Sequence, residues 1–253
     1  MKYLFINSVA GFGSTGRIAA EKCRELMKDG HECVIAYGRE KANCDDLQTV
    51  QIGSPLDYKL HGLRCRLLDD HGFGSKVATK RFLNWVKQYD PDVIWLHNLH
   101  GYYIHLGLMF AYLRTCGKKI LWTLHDCWAF TGHCAYFDFV GCDKWKTGCH
   151  SCPQKGSYPA SIGLDGSRSN YQKKKLLFTG IPNLKLIVPS CWLEHRVKQS
   201  FLKEYPVEVV YNTINREIFK PTPGNFREKH GLQDKKILLF LYSISIDSLF
   251  KLW

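Results

Sequence analysis

The sequence predicts an α/β protein, a doubly wound parallel sheet, on three observations. Apolar runs of strand length recur along the chain, helical stretches lie between most of them, and the first strand leads into a glycine-rich turn. Strands that alternate with helices form parallel sheets with helices packed on both faces.

The first strand is expected at residues 3–7. In the helix after it, Ile18, Ala19, Cys23, Leu26 and Met27 share one face and Lys22, Glu25 and Lys28 lie towards the other. Gly30 then stands where a helix C-cap is expected. Further strands are expected at 33–37, 93–96, 120–124, 186–188 and 207–210, and helices at 75–88, 104–116, 169–178 and 192–201. Residues 1–211 read as one Rossmann-like domain with a cysteine-rich loop at 127–156. Residues 212–224, polar and with two prolines, read as a linker. Residues 225–253 read as the start of a second domain, with a short helix at 226–232, a strand at 236–242 and an apolar tail that completes no β-α unit.

A hydrophobic share of 45% and an aromatic share of 13% support a sizeable core, which excludes a disordered chain. No run approaches the roughly 18 apolar residues of a membrane-spanning helix. The N-terminus turns glycine-rich too soon for a signal peptide, so a reducing cytoplasm is expected, where clustered thiols hold metal more often than they pair. A net charge of +12 favours anionic partners: phosphates, nucleic acid or the acidic face of a membrane.

Gly11, Gly13 and Gly16 form G-x-G-x-x-G between strand and helix, where the backbone can approach a phosphate and the helix N-terminus offers free N–H groups. Ser14, Thr15 and Arg17 add donors and charge. A tight turn without a ligand is the alternative. A dinucleotide site would also want an acid closing the second strand, and Ala36-Tyr37-Gly38-Arg39-Glu40 stands there instead. Tyr171 and Lys175, spaced like a reductase pair, read as a solvated basic helix face.

Ligands of open α/β sheets sit beyond the carboxyl ends of the strands. Two such ends are rich in polar groups, with His97, Asn98 and His100 after one strand and His125 with Asp126 after another. These groups can bind sugar hydroxyls, take up protons or pair with phosphates. Cys134, Cys142, Cys149 and Cys152 follow in the next loop. Four thiolates suit a closed, structural zinc site, with unligated thiols and disulfides as the other readings. Trp128, Phe130, Tyr136, Phe137, Phe139 and Trp145 are expected to pack as a small satellite core, with stacking on acceptor sugar faces as the alternative.

Taken in order, the glycine loop, Leu96–Asn98, Thr123–Asp126, Pro189-Ser190, the linker Tyr-Asn-Thr-Ile-Asn-x4-Phe-x-Pro and the HDCWAFTGHC…CDKW…GC…CP stretch resemble retaining GT-B glycosyltransferases. The resemblance covers about residues 1–240, and more narrowly the HDCWAFTGHC…CDKW…GC…CP stretch is similar to the colanic-acid and exopolysaccharide branch of the family 4 group. The resemblance implies a two-domain enzyme that takes sugar from a nucleotide-sugar donor to a saccharide or lipid-linked acceptor, without a required metal. It implies that Gly11, Gly13 and Gly16 border donor phosphates and acceptor, that His125 contacts the transferred sugar with Asp126 beside it, and that His97 and Asn98 line the acceptor side.

The basic residue and the two glutamates seven positions apart that the family uses to hold its donor have no counterpart here. The expectation is therefore a partial chain with little transfer activity of its own, prone to self-association through its truncated end. Residues 59–68 and 173–177 mix basic and apolar side chains and read either as segments for peripheral contact at the inner membrane face or as ordinary amphipathic helices packed on the sheet. Two other functions stay open: a basic, zinc-bearing module for nucleic acid or anionic lipid, though no nucleic-acid motif is present, and an NAD(P)-dependent reductase.

Overall fold

The structure, a computed structural model, describes residues 1–238 except 215 and 218. Strands β1 (Lys2–Asn7), β2 (Glu32–Tyr37), β3 (Gln48–Gln51), β4 (Val93–Leu96), β5 (Lys119–Thr123), β6 (Leu184–Val188) and β7 (Val207–Val209) form one parallel sheet in the order β3-β2-β1-β4-β5-β6-β7. The order turns at β1, which pairs with β2 on one side and with β4 on the other. Loops leaving β1 and β4 therefore diverge at that point and open the crevice where such sheets bind ligands.

The helices divide unequally between the faces. Helix α1 (Gly13–Lys28) lays Ala19, Ala20 and Cys23 on Phe5, Cys33 and Ile35. A second helix, α2 (Pro55–Leu68), starts with a capping box in which Ser54 Oγ accepts from Asp57 N and the Asp57 carboxylate accepts from Ser54 N at 2.9 Å. Helices α3 (Lys76–Tyr89), α4 (Leu106–Thr115), α5 (Ser167–Phe178) and α6 (Cys191–Lys198) build the larger core on the opposite face. Phe82, Val86, Met109, Phe110, Phe178 and Val197 meet there with Leu4, Ile94, Trp122 and Leu186 of the strands. Of the described helices that pack on the sheet, α1 alone serves the first face. Trp95, Leu121 and Ile187 consequently line an open groove of about 880 Å³ there, and cover on that face is partial.

Six expected strands lie within two residues of their predicted bounds. The seventh, β3, is a polar edge strand of sequence QTVQ, without the apolar run that marks the others. Helix α1 begins earlier than its apolar face suggests, at Gly13, so the glycine loop overlaps its first turn.

By its packing the chain divides into Met1–Thr213 and Ile214–Trp253. In the second unit the expected helix is short, α7 (Phe226–Lys229), followed by a turn in which Arg227 Nη1 donates to Leu232 O (3.0 Å) and Lys235 O (2.9 Å). Residues 236–238 carry no strand. The rest of the strand expected at 236–242, and the apolar tail on which self-association was to rest, lie outside the described residues. No helix among the described residues is long and apolar enough to cross a membrane.

Candidate functional site

Sheet register brings the strand ends to one level. Ile6 pairs with Leu96, and Leu96 with Trp122, so Asn7, His97 and Thr123 follow side by side. Two indoles brace β4 and β5 across this edge: Trp95 Nε1 donates to Thr123 Oγ1 (2.9 Å) and Trp122 Nε1 to His97 O (3.1 Å).

The glycine loop is held from beneath by Asn7. Its Oδ1 accepts from Asn98 N (3.1 Å), and its Nδ2 donates to Val9 O (2.8 Å) and, at 3.4 Å, to Thr15 Oγ1. One fully buried amide thus ties the turn after β1 to the turn after β4. Gly11 has φ +66, and a Cβ there would lie 2.1 Å from Asn43 O, so only glycine fits. A Cβ on Gly16 would press on Val9 at 3.0 Å, whereas Gly13 faces open space. Phe12, the N-cap of α1, gives no side-chain cap, which leaves the first helical N–H groups free at this edge. Arg17 is exposed on α1 and has no hydrogen bond to the other site residues.

His97 and His125 meet directly. Their rings stack at 5.3 Å, with His97 Nδ1 3.0 Å from His125 Nε2. Burial drives the His97 pKa well below the ordinary value, and the nearby His125 adds to this. Burial also takes His125 down to about 4, although Asp126 pulls the other way. Both rings are therefore neutral at pH 7, and only one proton occupies their contact. The other nitrogen of His125 has no protein partner and remains open to solvent.

Asp126 faces inward. Its Oδ1 accepts from Trp128 N (2.9 Å) and its Oδ2 from His100 Nε2 (2.9 Å), while Tyr158 OH lies 3.1 Å from His100 Nδ1. Burial alone would raise the Asp126 pKa, but His100 and the Trp128 N–H outweigh it and hold the carboxylate ionised. Both oxygens are engaged, so Asp126 sets the path of the chain around His125. The site residues thus form two contacting groups: Gly11–Gly16 with Asn98 through Asn7, and His97 with His125, next to Asp126.

Asn7 and Tyr158 carry much of this arrangement without standing out in the sequence as site residues, and His100, expected only as one of the polar groups at its strand end, supports Asp126. A polar residue ending an apolar strand was the available signal for Asn7. Lys174 is a further surprise. It is buried beside Tyr171 and donates to Trp128 O (2.7 Å) and Thr131 O (3.2 Å), with Nζ 3.4 Å over the Trp128 ring. Burial lowers its pKa to about 7. The solvated face expected around Tyr171 and Lys175 is corrected accordingly: Lys175 is exposed, but Tyr171 and Lys174 turn inward.

The cysteine loop folds back on α2. Asp69, just past α2, receives His133 Nδ1 (2.5 Å) and Gly166 N (2.8 Å). Trp128, Phe130, Phe137 and Trp145 are buried, as a satellite core requires, while Tyr136 and Phe139 are exposed. Cys134, Cys142, Cys149 and Cys152 line one gap of about 10 Å³, and all eleven cysteines are free thiols. Among the described residues, no group of three or more His, Cys, Asp or Glu side chains could hold a metal ion. The expected zinc shell of Cys134, Cys142, Cys149 and Cys152 thus finds no support, and the four thiols pack in and against the larger core. Cys134 donates its S–H to Cys152, which with the Gln154 N–H and nearby His133 brings Cys152 down to about 6 against its burial, while Cys134 rises.

Comparison with known proteins gives three findings. Residues 15–218 match the model of Glycosyltransferase Family 4. A putative colanic acid biosynthesis glycosyl transferase, WcaC of Escherichia coli K12, is 38% identical over 96 residues, covering 35% of this chain and 22% of that protein. Two solved structures are similar at 13% identity. The spinosyn rhamnosyltransferase SpnG, complexed with thymidine diphosphate, has a TM-score of 0.39 and coverage of 75% of this chain and 45% of its own. The glycosyltransferase VinC, in complex with dTDP, has a TM-score of 0.40 and coverage of 75% and 49%. The match thus spans under a quarter of the curated relative, and under half of either solved chain.

Proposed function

The chain belongs to glycosyltransferase family 4, and on that basis we propose that it transfers a sugar from a nucleotide-sugar donor to a saccharide or lipid-linked acceptor in polysaccharide assembly. One observation carries the reading. The glycine loop after β1, His97-Asn98 after β4 and His125 after β5 meet at one carboxyl edge and are joined there by Asn7 and by the histidine contact.

The chemistry suits that task. The uncapped start of α1 offers N–H groups to a phosphate oxygen, and Arg17 supplies a nearby positive charge. The free nitrogen of His125 is placed for a sugar hydroxyl, and its neutrality at pH 7 avoids paying for an extra buried charge. Such a site works by holding two reactants in register and stabilising a leaving diphosphate. Gly11, Gly13 and Gly16 would border the phosphates, and His97 and Asn98 the acceptor. Nothing in these comparisons favours nucleic-acid binding or NAD(P)-dependent reduction.

Titration of isotope-labelled protein with nucleotide sugars and with oligosaccharide acceptors tests the proposal. Resonance shifts are expected at His125, His97, Asn98 and the glycine loop. Shifts confined to other regions, or the same response to NAD(P)H, would remove the site from consideration.

A further inference from the structure

A second hollow lies on the same carboxyl edge, beyond β2 and β3. It holds about 450 Å³, within the range of small-ligand pockets, and its walls include Tyr37, Arg39, Glu40, Lys41, Tyr58 and Lys59. Three of these are cations and one, the exposed Glu40, is a carboxylate. Arg39 is the most constrained of them. Arg39 N and Gly38 N both donate to Ser8 O, at 3.0 and 3.2 Å, which ties the turn after β2 to the turn after β1. Gly38 permits this path, since a Cβ there would lie 2.0 Å from Tyr103 Cβ. The Arg39 side chain is half-buried, and its Nε lies buried with no hydrogen-bond acceptor, a costly state for a charged donor. It also reaches towards the histidines. A Cβ on Gly101 would stand 3.8 Å from Arg39 Nε, and burial raises the pKa of Tyr103 and Tyr158 while the Arg39 charge opposes it in both. Tyr158 OH in turn lies against His100, the partner of Asp126.

We propose that Arg39, with Lys41 and Lys59, forms an acceptor subsite for a negatively charged sugar residue. That the sugar belongs to the acceptor rests on the transfer reaction proposed above; the preference for an anion rests on this pocket alone. A guanidinium fork binds a carboxylate or a phosphate through two parallel N–H bonds, and the two lysines add charge without fixing geometry. Tyr37 and Tyr58 offer flat rings with polar tips to the neutral part of the sugar. An uncharged sugar leaves the Arg39 donors unmatched, and a site built to bond a polar group rejects the analogue that lacks it.

The test is a nuclear magnetic resonance titration of the isotope-labelled 253-residue chain with glucuronate, glucose 6-phosphate and uncharged glucose. It is read at the Arg39 Nε–H and at the backbone N–H groups of residues 37–41. Both charged sugars should shift these signals and bind at least about tenfold more tightly than glucose, the scale of one charge-assisted hydrogen-bonded pair. Arg39→Gln should remove that advantage and Arg39→Lys should keep part of it, with circular dichroism to check the fold. Should Arg39→Gln disturb folding, the exposed pair Lys41→Gln and Lys59→Gln should still weaken both charged sugars. Glucose binding as tightly as the charged sugars overturns the proposal, as does an advantage that Arg39→Gln leaves untouched. Whichever charged sugar binds more tightly tells whether the acceptor brings a carboxylate or a phosphate, and either upholds the subsite. Nucleotide-sugar shifts at the glycine loop test the transfer reaction separately: their absence would strike that reading and leave the anion subsite standing.

Discussion

His61 should make the protein acid-sensitive well above the carboxylate range. It is 2% exposed and fully bonded as a neutral ring. Its Nε2 accepts from Gly74 N (3.1 Å), so the proton sits on Nδ1 and points at Ser75 Oγ (2.8 Å), whose own hydrogen goes to Tyr102 O (3.3 Å). Protonation would break the bond to Gly74 and bury a charge near Arg64. Burial first, then Arg64 and His105, lower its pKa from 6.5 to about 4. A depressed histidine stabilises the fold fully above its unfolded pKa, and that stability drains as pH falls towards the folded value. At about 1.4 kcal/mol per pH unit, His61 withdraws about 2 kcal/mol by pH 5 and about 3 kcal/mol by pH 4. Buried His71 and His97 shift in the same direction and steepen the decline. The assay is urea unfolding followed by tryptophan fluorescence at pH 7, 6 and 5, on the wild type and on His61→Gln. The glutamine oxygen can still accept from Gly74 but does not titrate. The variant should be weaker at pH 7 yet lose about 2 kcal/mol less between pH 7 and pH 5. Equal losses in the two proteins would refute the argument.

Three other outcomes are expected. Gly11→Ala should cost at least about 2 kcal/mol, since it meets both an unfavourable positive φ and Asn43 O, whereas Gly13→Ala should cost only about 1 kcal/mol for φ alone; denaturation midpoints in the reverse order would contradict the loop geometry. Cys152 should be alkylated by iodoacetamide at pH 7 well before Cys134, as peptide mass spectrometry would report, and preferential labelling of Cys134 would invert the assignment of thiolate and donor. His97 Nε2 has no partner, and Phe5, Trp95 and His125 all stack on its ring, so no aromatic face is presented edge-on to receive an N–H. The shared proton should therefore sit on His97 Nδ1, leaving His125 in the Nδ1–H form. Imidazole nitrogen shifts showing His125 protonated at Nε2 would reverse that orientation.

Strands buried in a parallel sheet read as continuous apolar runs, which made β1, β2, β4, β5 and β6 legible in sequence. β3 lacked that signal because an edge strand needs no apolar run. Helix α2 hid for a different reason. Its start is written in Ser54-Pro-Leu-Asp57, but leucines on the solvent side cancel the periodicity that identifies a helix. Lys174 was concealed by its neighbours, since in a run of three lysines only helix register, set by Asn170, Tyr171 and Phe178, shows which one points inward. Strand-end histidines are visible from local pattern. Their partners are not, because Asn7 meets Asn98 only once β1 lies beside β4.

The site therefore has two supports of different origin. The pairing of His97 with His125 comes from sheet register and from the two indole braces between β4 and β5, all within the rigid sheet. The setting of Asp126 comes through His100 and Tyr158, and Tyr158 belongs to the long connection after β5 that carries the cysteines. A change in that connection acts first on Asp126 and the chain path around His125, and leaves the histidine contact standing. A ligand at the glycine loop, as proposed above, would act on the other support, because Asn7 bonds Val9 and Thr15 on one side and Asn98 on the other. His125 lies where the two supports meet, and for that reason its ring can be fixed to one orientation while its outer nitrogen stays free for a ligand.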